Sequence, residues 1–377
     1  MAVQDMSGNN IVIASHAFPP RETVGAIRPG TFADVLREYG WNVEIITTPE
    51  PNRCQQDDVF PAGSLLPESV DFGRLGWAPI LAHTLYRRIR VHQPDVVWFT
   101  GAPFPPAIVL PVLQRLTSVP YVLDMRDPWL LAPYKNISSR SQQSVLKAME
   151  SIVLEKANVV TTTSERTSKR YRQQYPETEF RTVRNGFRAN RTLRNSNRQS
   201  EDTLEIVCPG KIYQDESVLA EALVQLAHRD PPSVAFTQIG RHSSTIERIT
   251  NGSRQVRYES TDYINHQTLL GLISEANIGL LTNRDSAQIP MKTYDYIAAD
   301  TPILALCSEE SSIGDVLRPF EGTGFVGEPT PERIANTVIA LQAEQSLTKG
   351  VDRSEYSFRS RGGKLHRVLT EVIKSEF

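Results

Sequence analysis

Short runs of β-branched residues alternate with longer amphipathic stretches along all 377 residues, and no other feature narrows the fold so far. Parallel strands need crossovers long enough to be helices, so this alternation is the pattern of an α/β protein. In the first half, strands are expected at 10–15, 42–47, 95–100, 121–124 and 158–162, with helices at 31–39, 81–91, 104–116, 144–156 and 164–175. The strands read as near-continuous apolar runs, as expected when helices cover both faces of a sheet. Residues 188–203 are rich in Arg, Asn and Ser with almost no large apolar side chain, and read as a linker. A second series follows, with strands at 204–208, 233–239, 277–281 and 302–306 and helices at 217–227, 266–275, 292–299 and 331–342. Thr330 as N-cap and Pro331 at the first helical position open the last of these.

The expected organisation is therefore two Rossmann-like, doubly wound domains, 1–188 and 204–353, joined by a 189–203 linker, with a final helix over 354–377. Two such domains facing each other across a cleft would bind a ligand where the carboxyl ends of the strands meet loops and helix N-termini. The chemistry belongs in the loops that follow strands.

Composition removes several alternatives. A net charge of −2 argues against a nucleic-acid binder, and 40% hydrophobic with 22% charged residues argues against wholesale disorder. Cys54, Cys208 and Cys307 are scattered and lack C-x-x-C spacing, so neither a zinc site nor a disulfide framework is expected. Residues 1–10 lack a basic leader, the apolar run at 11–14 is short, and nothing approaches the roughly 20 apolar residues of a membrane span. The expected compartment is the cytoplasm. No phosphate loop, H-E-x-x-H, G-x-S-x-G or D-x-D pair is present. One G-x-G-x-x-G match, Gly322, Gly324 and Gly327, is followed by Glu328-Pro329-Thr330-Pro331 rather than directly by a helix, and reads as a turn.

Four constellations remain. In Ile289-Pro290-Met291-Lys292-Thr293-Tyr294-Asp295, Lys292 and Asp295 share one face of a helix N-terminus. Free N–H groups near Met291 and the Lys292 charge suit an anion, and Asp295 suits ribose hydroxyls. A solvated Lys–Asp pair is the plain alternative. Pro209-Gly210-Lys211 closes the first strand of the second series and aims Lys211 at a phosphate. Asp124-Met125-Arg126-Asp127-Pro128-Trp129 ends another strand, and is either site material or an Arg126–Asp127 ion pair organising a loop. His16 sits likewise at the end of the first strand. The cationic run Arg181, Arg184, Arg188, Arg191, Arg194 and Arg198 offers a surface to anionic lipid head groups, with a solvated linker as the alternative.

These segments resemble, in order along the chain, the glycosyltransferase family 4 group of GT-B enzymes, especially bacterial cell-envelope members. Ser15-His16-Ala17-Phe18-Pro19-Pro20 with Gly25-Ala26-Ile27-Arg28 is similar to the family's first-strand loop, and Leu123 to Trp129 to its Asp-x-Arg-Asp-x-Trp element. Val183-Arg184-Asn185-Gly186-Phe187, Gly210-Lys211-Ile212-Tyr213 and Ile289 to Ala299 resemble the elements that close the first domain, open the second and carry the Pro-x-Lys-x-x-Glu-Tyr helix. The resemblance implies a retaining, metal-independent transferase without a cofactor. It would move a sugar from a nucleotide-sugar donor to a saccharide or lipid-linked saccharide, in peripheral contact with the cytoplasmic membrane face. Lys211, Lys292, Asp127 and Arg126 would be catalytic. Gly25, Gly210, Asp295, Met291 and Asn185 would bind the donor, while His16 and Trp129 would lie on the acceptor side. The last helix would cross back onto the first domain. Two departures stand out: Asp295 where the family has Glu, and Gln214-Asp215-Glu216 where many members carry a second cation. They favour a non-catalytic sugar-nucleotide-binding homologue as one alternative, and a nucleotide-sugar epimerase of similar architecture is the other.

Overall fold

The computed structural model describes residues 8–21, 23–50, 57–66, 74–132, 139–188, 203–229, 233–344 and 346–375. Cys54, Arg191, Arg194, Arg198 and nearly all of the expected linker lie outside them. The chain divides into two compact units, Met1–Asn185 with Phe358–Phe377, and Gly186–Ser357.

The first unit holds β1 (Asn10–Ala14), α1 (Val24–Glu38), β2 (Asn42–Thr47), β3 (Val59–Pro61), α2 (Trp77–His92), β4 (Val96–Thr100), α3 (Val109–Thr117), β5 (Tyr121–Met125), α4 (Arg140–Lys156), β6 (Val159–Thr162), α5 (Glu165–Gln174) and β7 (Phe180–Thr182). Its strands form one parallel sheet in the order β3-β2-β1-β4-β5-β6-β7. The order reverses between β1 and β4, which places a switch point at their carboxyl ends. The edge strands β3 and β7 have three residues each, too few for a periodic signal.

Helix α1 begins well before the 31–39 segment expected from sequence, because Gly25, Pro29 and Gly30 all lower helix propensity. Packing overrides that preference. Pro29 is buried, and Gly30 lies so close to Pro19 that a Cβ would stand 2.5 Å from its ring. Pro29 has no N–H, so the carbonyl four residues earlier, that of Gly25, loses its helical donor.

The second unit holds β8 (Thr203–Pro209), α6 (Glu216–Ala227), β9 (Ser233–Ile239), α7 (Ser244–Thr250), β10 (Val256–Thr261), α8 (His266–Glu275), β11 (Ile278–Thr282), α9 (Lys292–Ala299), β12 (Ile303–Leu306), α10 (Gly314–Leu317), β13 (Thr323–Phe325) and α11 (Pro331–Gln342). Its sheet is again parallel, ordered β10-β9-β8-β11-β12-β13, with the switch between β8 and β11. The glycines of the G-x-G-x-x-G match serve packing here. A Cβ on Gly322 would meet the Leu347 backbone at 2.6 Å, and one on Gly324 would meet Thr337 at 2.3 Å. Among the described residues, no helix is long and apolar enough to cross a membrane.

The last helix, α12 (Phe358–Ser375), belongs to the first unit and packs on α1. Phe358 meets Phe32 edge to face, Gly362 admits Val35, and His366 stacks on Tyr39 at 4.6 Å. The Trp41 indole N–H donates to Nδ1 of His366 at 2.8 Å, which requires a neutral ring. Burial, with Arg367 adding to it, holds that imidazole below the ordinary histidine value. The unfolded chain therefore binds the proton more readily, and the stability this contact adds above about pH 6.5 is lost as pH falls through the lower folded value. Thermal unfolding from pH 7.5 to 5.5 should show a steeper loss for the wild type than for His366→Asn, which keeps an acceptor but does not titrate; equal slopes would refute the assignment.

Candidate functional site

In the second unit, β8 ends at a glycine for a backbone reason. Gly210 has φ +76° with open space around it, so the left-handed conformation demands glycine. Its N–H donates to the Ile239 carbonyl at 2.8 Å, turning the chain sharply. Lys211 follows, exposed, with its ammonium 5.8 Å from the Tyr213 ring. The loop is fastened to neighbouring strand ends. Thr282 Oγ1 donates to the Lys211 carbonyl at 3.3 Å, and Gln214 Nε2 donates to the Leu306 carbonyl at 2.7 Å. Gln214 Oε1 is buried without a partner among the described residues.

Lys292 opens α9, and its ammonium reaches back to the Pro209 carbonyl at 3.2 Å and to Cys208 Sγ at 3.7 Å. Burial raises the Cys208 thiol, with Lys292 only partly opposing it, so the sulfur stays protonated and accepts weakly. Lys292 thus reaches the carboxyl end of β8, the strand end that Gly210 and Lys211 follow. The helix is anchored by Tyr296, whose hydroxyl donates to the Leu280 carbonyl at 2.8 Å with the Val207 carbonyl sharing the same proton at 3.2 Å, and whose ring occupies the space a Gly279 side chain would fill. Its N-cap, Met291, makes no side-chain cap, so no side chain of the cap competes for the first-turn N–H groups.

Asp295 does not pair with Lys292, contrary to the solvated-pair alternative. It is buried on the inner side of the turn, and its Oδ1 lies 2.8 Å from Nε2 of His266 at the start of α8. Sequence reading missed His266; its one signal is a histidine directly after the N-cap Asn265 of a helix that follows a strand.

In the first unit, Arg126 Nη1 donates to the Gly25 carbonyl at 2.6 Å, which is the acceptor that Pro29 leaves unpaired in α1. Gly101, at φ +85°, makes room: a Cβ there would stand 2.6 Å from the guanidinium. Burial pulls Arg126 below the ordinary arginine value, against the attraction of Asp124 and Asp127, and its buried Nε has no partner among the described residues. Asp127 is exposed beside it. His16 is half-buried, with its ring edge-on to Trp77 at 5.3 Å and its carbonyl accepting from Thr48 Oγ1.

Two expected site residues make structural contacts. Trp129 is buried in the core, stacked on Phe104 at 5.5 Å, and presents no ring to an acceptor. Asn185 Oδ1 accepts from Arg28 Nη1 at 2.9 Å inside a buried network. Among the described residues, no three His, Cys, Asp or Glu side chains are grouped as a metal would require.

Removing the Arg126 guanidinium should cost about 1 kcal/mol, because the half-buried Gly25 carbonyl loses its donor. Arg126→Met should lower stability in urea unfolding, and adding Pro29→Ala, which restores the backbone donor, should recover part of the loss. Strict additivity of the two changes would disprove the compensation.

Residues 30–186 match the family model described as a glycosyl transferase 4-like domain. No curated protein sequence matches the chain. Among solved structures, sucrose-phosphate synthase from Thermosynechococcus elongatus is similar at TM-score 0.73 and 15% identity, covering 97% of this chain and 100% of that one. Anabaena HepE in complex with UDP-glucose is similar at TM-score 0.65 and 12% identity, covering 96% and 99%. A putative UDP-N-acetylglucosamine 2-epimerase from Listeria monocytogenes is similar at TM-score 0.51 and 8% identity, covering 96% and 95%. Residues 30–186 are thus similar to a glycosyl transferase 4-like domain, and the chain has the two-unit, parallel-sheet GT-B fold of the glycosyltransferases that it resembles.

Proposed function

We propose that the chain is a retaining, metal-independent glycosyltransferase that moves a sugar from a nucleotide-sugar donor to a saccharide or lipid-linked saccharide. The observation that carries this reading is the meeting of Lys292, reaching the Pro209 carbonyl, with Lys211 and the start of α9 at one strand end. Lys292, held at the strand end, and a helix N-terminus suit a departing diphosphate because they are already oriented when its charge develops, and Lys211 adds a second positive charge from the loop. Asp295, steadied by His266, would take the ribose, and Gly210 would admit the phosphates. The structure with UDP-glucose belongs to HepE, and a UDP-sugar is the donor class to test first.

The first unit would serve the acceptor, with His16, Arg126 and Asp127 at the carboxyl ends of β1 and β5 and Gly25 at the start of α1. As the sugar–phosphate bond loosens, the acceptor hydroxyl attacks from the side the diphosphate leaves, and its proton passes to the departing phosphate oxygen. No carboxylate nucleophile is then needed, and the anomeric configuration is retained. A nucleotide donor places the reaction in the cytoplasm.

Lys292→Ala should lower kcat by about 100- to 1000-fold, in line with removal of a preorganised charge donor, with unchanged thermal unfolding. Near-wild-type turnover would remove the site assignment. Activity should survive EDTA, and NMR of the product should show the donor's anomeric configuration; loss of activity restored by Mg²⁺, or inversion, would refute those two parts separately.

Gln214 supports a second reading, donor binding without transfer, since it stands where the resembled family has a cation. Slow hydrolysis of the donor by the purified protein excludes it. The weaker likeness to an epimerase is tested by the same assay, because an epimerase alters the sugar without any acceptor.

A further inference from the structure

Strands β8 and β9 of the second unit end alike. They pair in register through Pro209 and Ile239, and each then turns at a glycine, Gly210 at φ +76° and Gly240 at φ +77°. The turns close in the same way: the Gly210 N–H donates to the Ile239 carbonyl and the Gly240 N–H to the Thr261 carbonyl, each at 2.8 Å. A Cβ on either glycine would meet nothing within 4 Å, so space is open above both strand ends. An exposed cation follows each turn, Lys211 after the first and Arg241 after the second.

Arg241 differs from its surroundings. Among the described residues it has no hydrogen bond, ion pair or ring contact, whereas the residues beside it are tied down. The Ser243 N–H donates to the Tyr258 hydroxyl at 2.8 Å, that hydroxyl donates to Gln238 Oε1 at 2.9 Å, and Gln238 Nε2 donates to the Gly210 carbonyl at 3.2 Å. His242 Nδ1 lies 3.0 Å from Ser260 Oγ. Ser243 Oγ donates to Glu216 Oε2 at 2.7 Å, which fastens the Arg241 loop to the start of α6. The start of α6 itself offers nothing to an anion. Asp215 gives the Ser217 N–H its own carboxylate at 2.9 Å, and Glu216 stands beside it, so that helix end carries its own negative charge.

We propose that Arg241 is a further catalytic residue, gripping the same diphosphate as Lys211. The assignment rests on the nucleotide-sugar reading above and adds a cation to its site. Neighbouring strands lie about 4.8 Å apart, so one diphosphate bridges the residues that follow them. A planar guanidinium presents paired N–H donors to two oxygens of one phosphate, which the single ammonium of Lys211 does not. As the bond from the sugar carbon to the phosphate oxygen breaks, its electron pair stays on that oxygen. The acceptor oxygen bonds to the sugar carbon, and its proton passes to the phosphate. Arg241 meets the charge that develops on the diphosphate from a loop that is already fixed, without reorganisation.

The test is calorimetric titration of the full-length protein with UDP, GDP and ADP, NMR titration with the matching nucleosides, and donor turnover. For the nucleotide that binds the wild type, Arg241→Gln should weaken affinity about ten-fold, the loss of one charge-assisted contact, while the nucleoside binds as before. Affinity should also depend less on salt. Turnover should show kcat falling together with a rise in donor KM, and Arg241→Lys should recover most of both. Because Arg241 is exposed, thermal unfolding of the ligand-free variants should match the wild type. Arg254→Gln, the same charge change just before the amino end of β10, should leave affinity and turnover at the wild-type level. Unchanged nucleotide affinity in Arg241→Gln, an equal loss for the nucleoside, or an equal loss in Arg254→Gln would overturn the assignment and leave the transferase reading standing. Failure of the wild type to bind any of the three nucleotides would sink both.

Discussion

The first unit depends on a buried ion pair. Arg28 is 1% exposed and Asp124 fully enclosed, and the two meet in a forked contact of 2.8 and 2.7 Å. Burial alone would push the Asp124 carboxyl up, but Arg28 and the hydroxyls of Thr100 and Thr161 more than offset it and hold it below the usual carboxylate range. Arg28 also donates to Asn185 and to the Val183 carbonyl. One guanidinium thereby joins α1, the end of β5 and the segment that leaves the unit. Such a pair is worth little relative to a well-packed apolar substitute, yet losing one partner typically costs about 3–5 kcal/mol. Its value lies in fixing which strand end faces which loop.

That constraint sets the position of Arg126, two residues after Asp124, and explains a local irregularity. Glycine and proline early in α1 create a backbone acceptor without a donor, and Arg126 supplies one across the switch point. A residue read as catalytic is therefore also structural. The two roles are compatible, because Nε remains without a partner among the described residues.

The second unit solves the same positioning problem with a tyrosine. Tyr296, lying over Gly279 with its one hydroxyl proton shared between two strand carbonyls, clamps α9 against β8 and β11. Lys292 is then directed to the end of β8, while His266 holds Asp295 from the neighbouring helix. Asp is one methylene shorter than Glu, and the adjacent imidazole supports a carboxylate that would otherwise sit loosely in its turn.

Most of the fold was legible in the residues themselves. The strands at 42–47 and 233–239 and the helices at 266–275, 292–299 and 331–342 have their expected bounds, since apolar periodicity and caps are local signals. The three-residue edge strands and the first two turns of α1 were not legible. Short pairing and tertiary packing, rather than propensity, decide them. The site divides in the same way. The backbone demand at Gly210 and the cationic character of Lys211 and Lys292 belong to the sequence. Pairing is a property of distance between residues far apart in the chain. Only the tertiary structure gave Asp295 to His266 rather than Lys292, Asn185 to Arg28, Trp129 to the core and Arg126 to the unpaired carbonyl of Gly25.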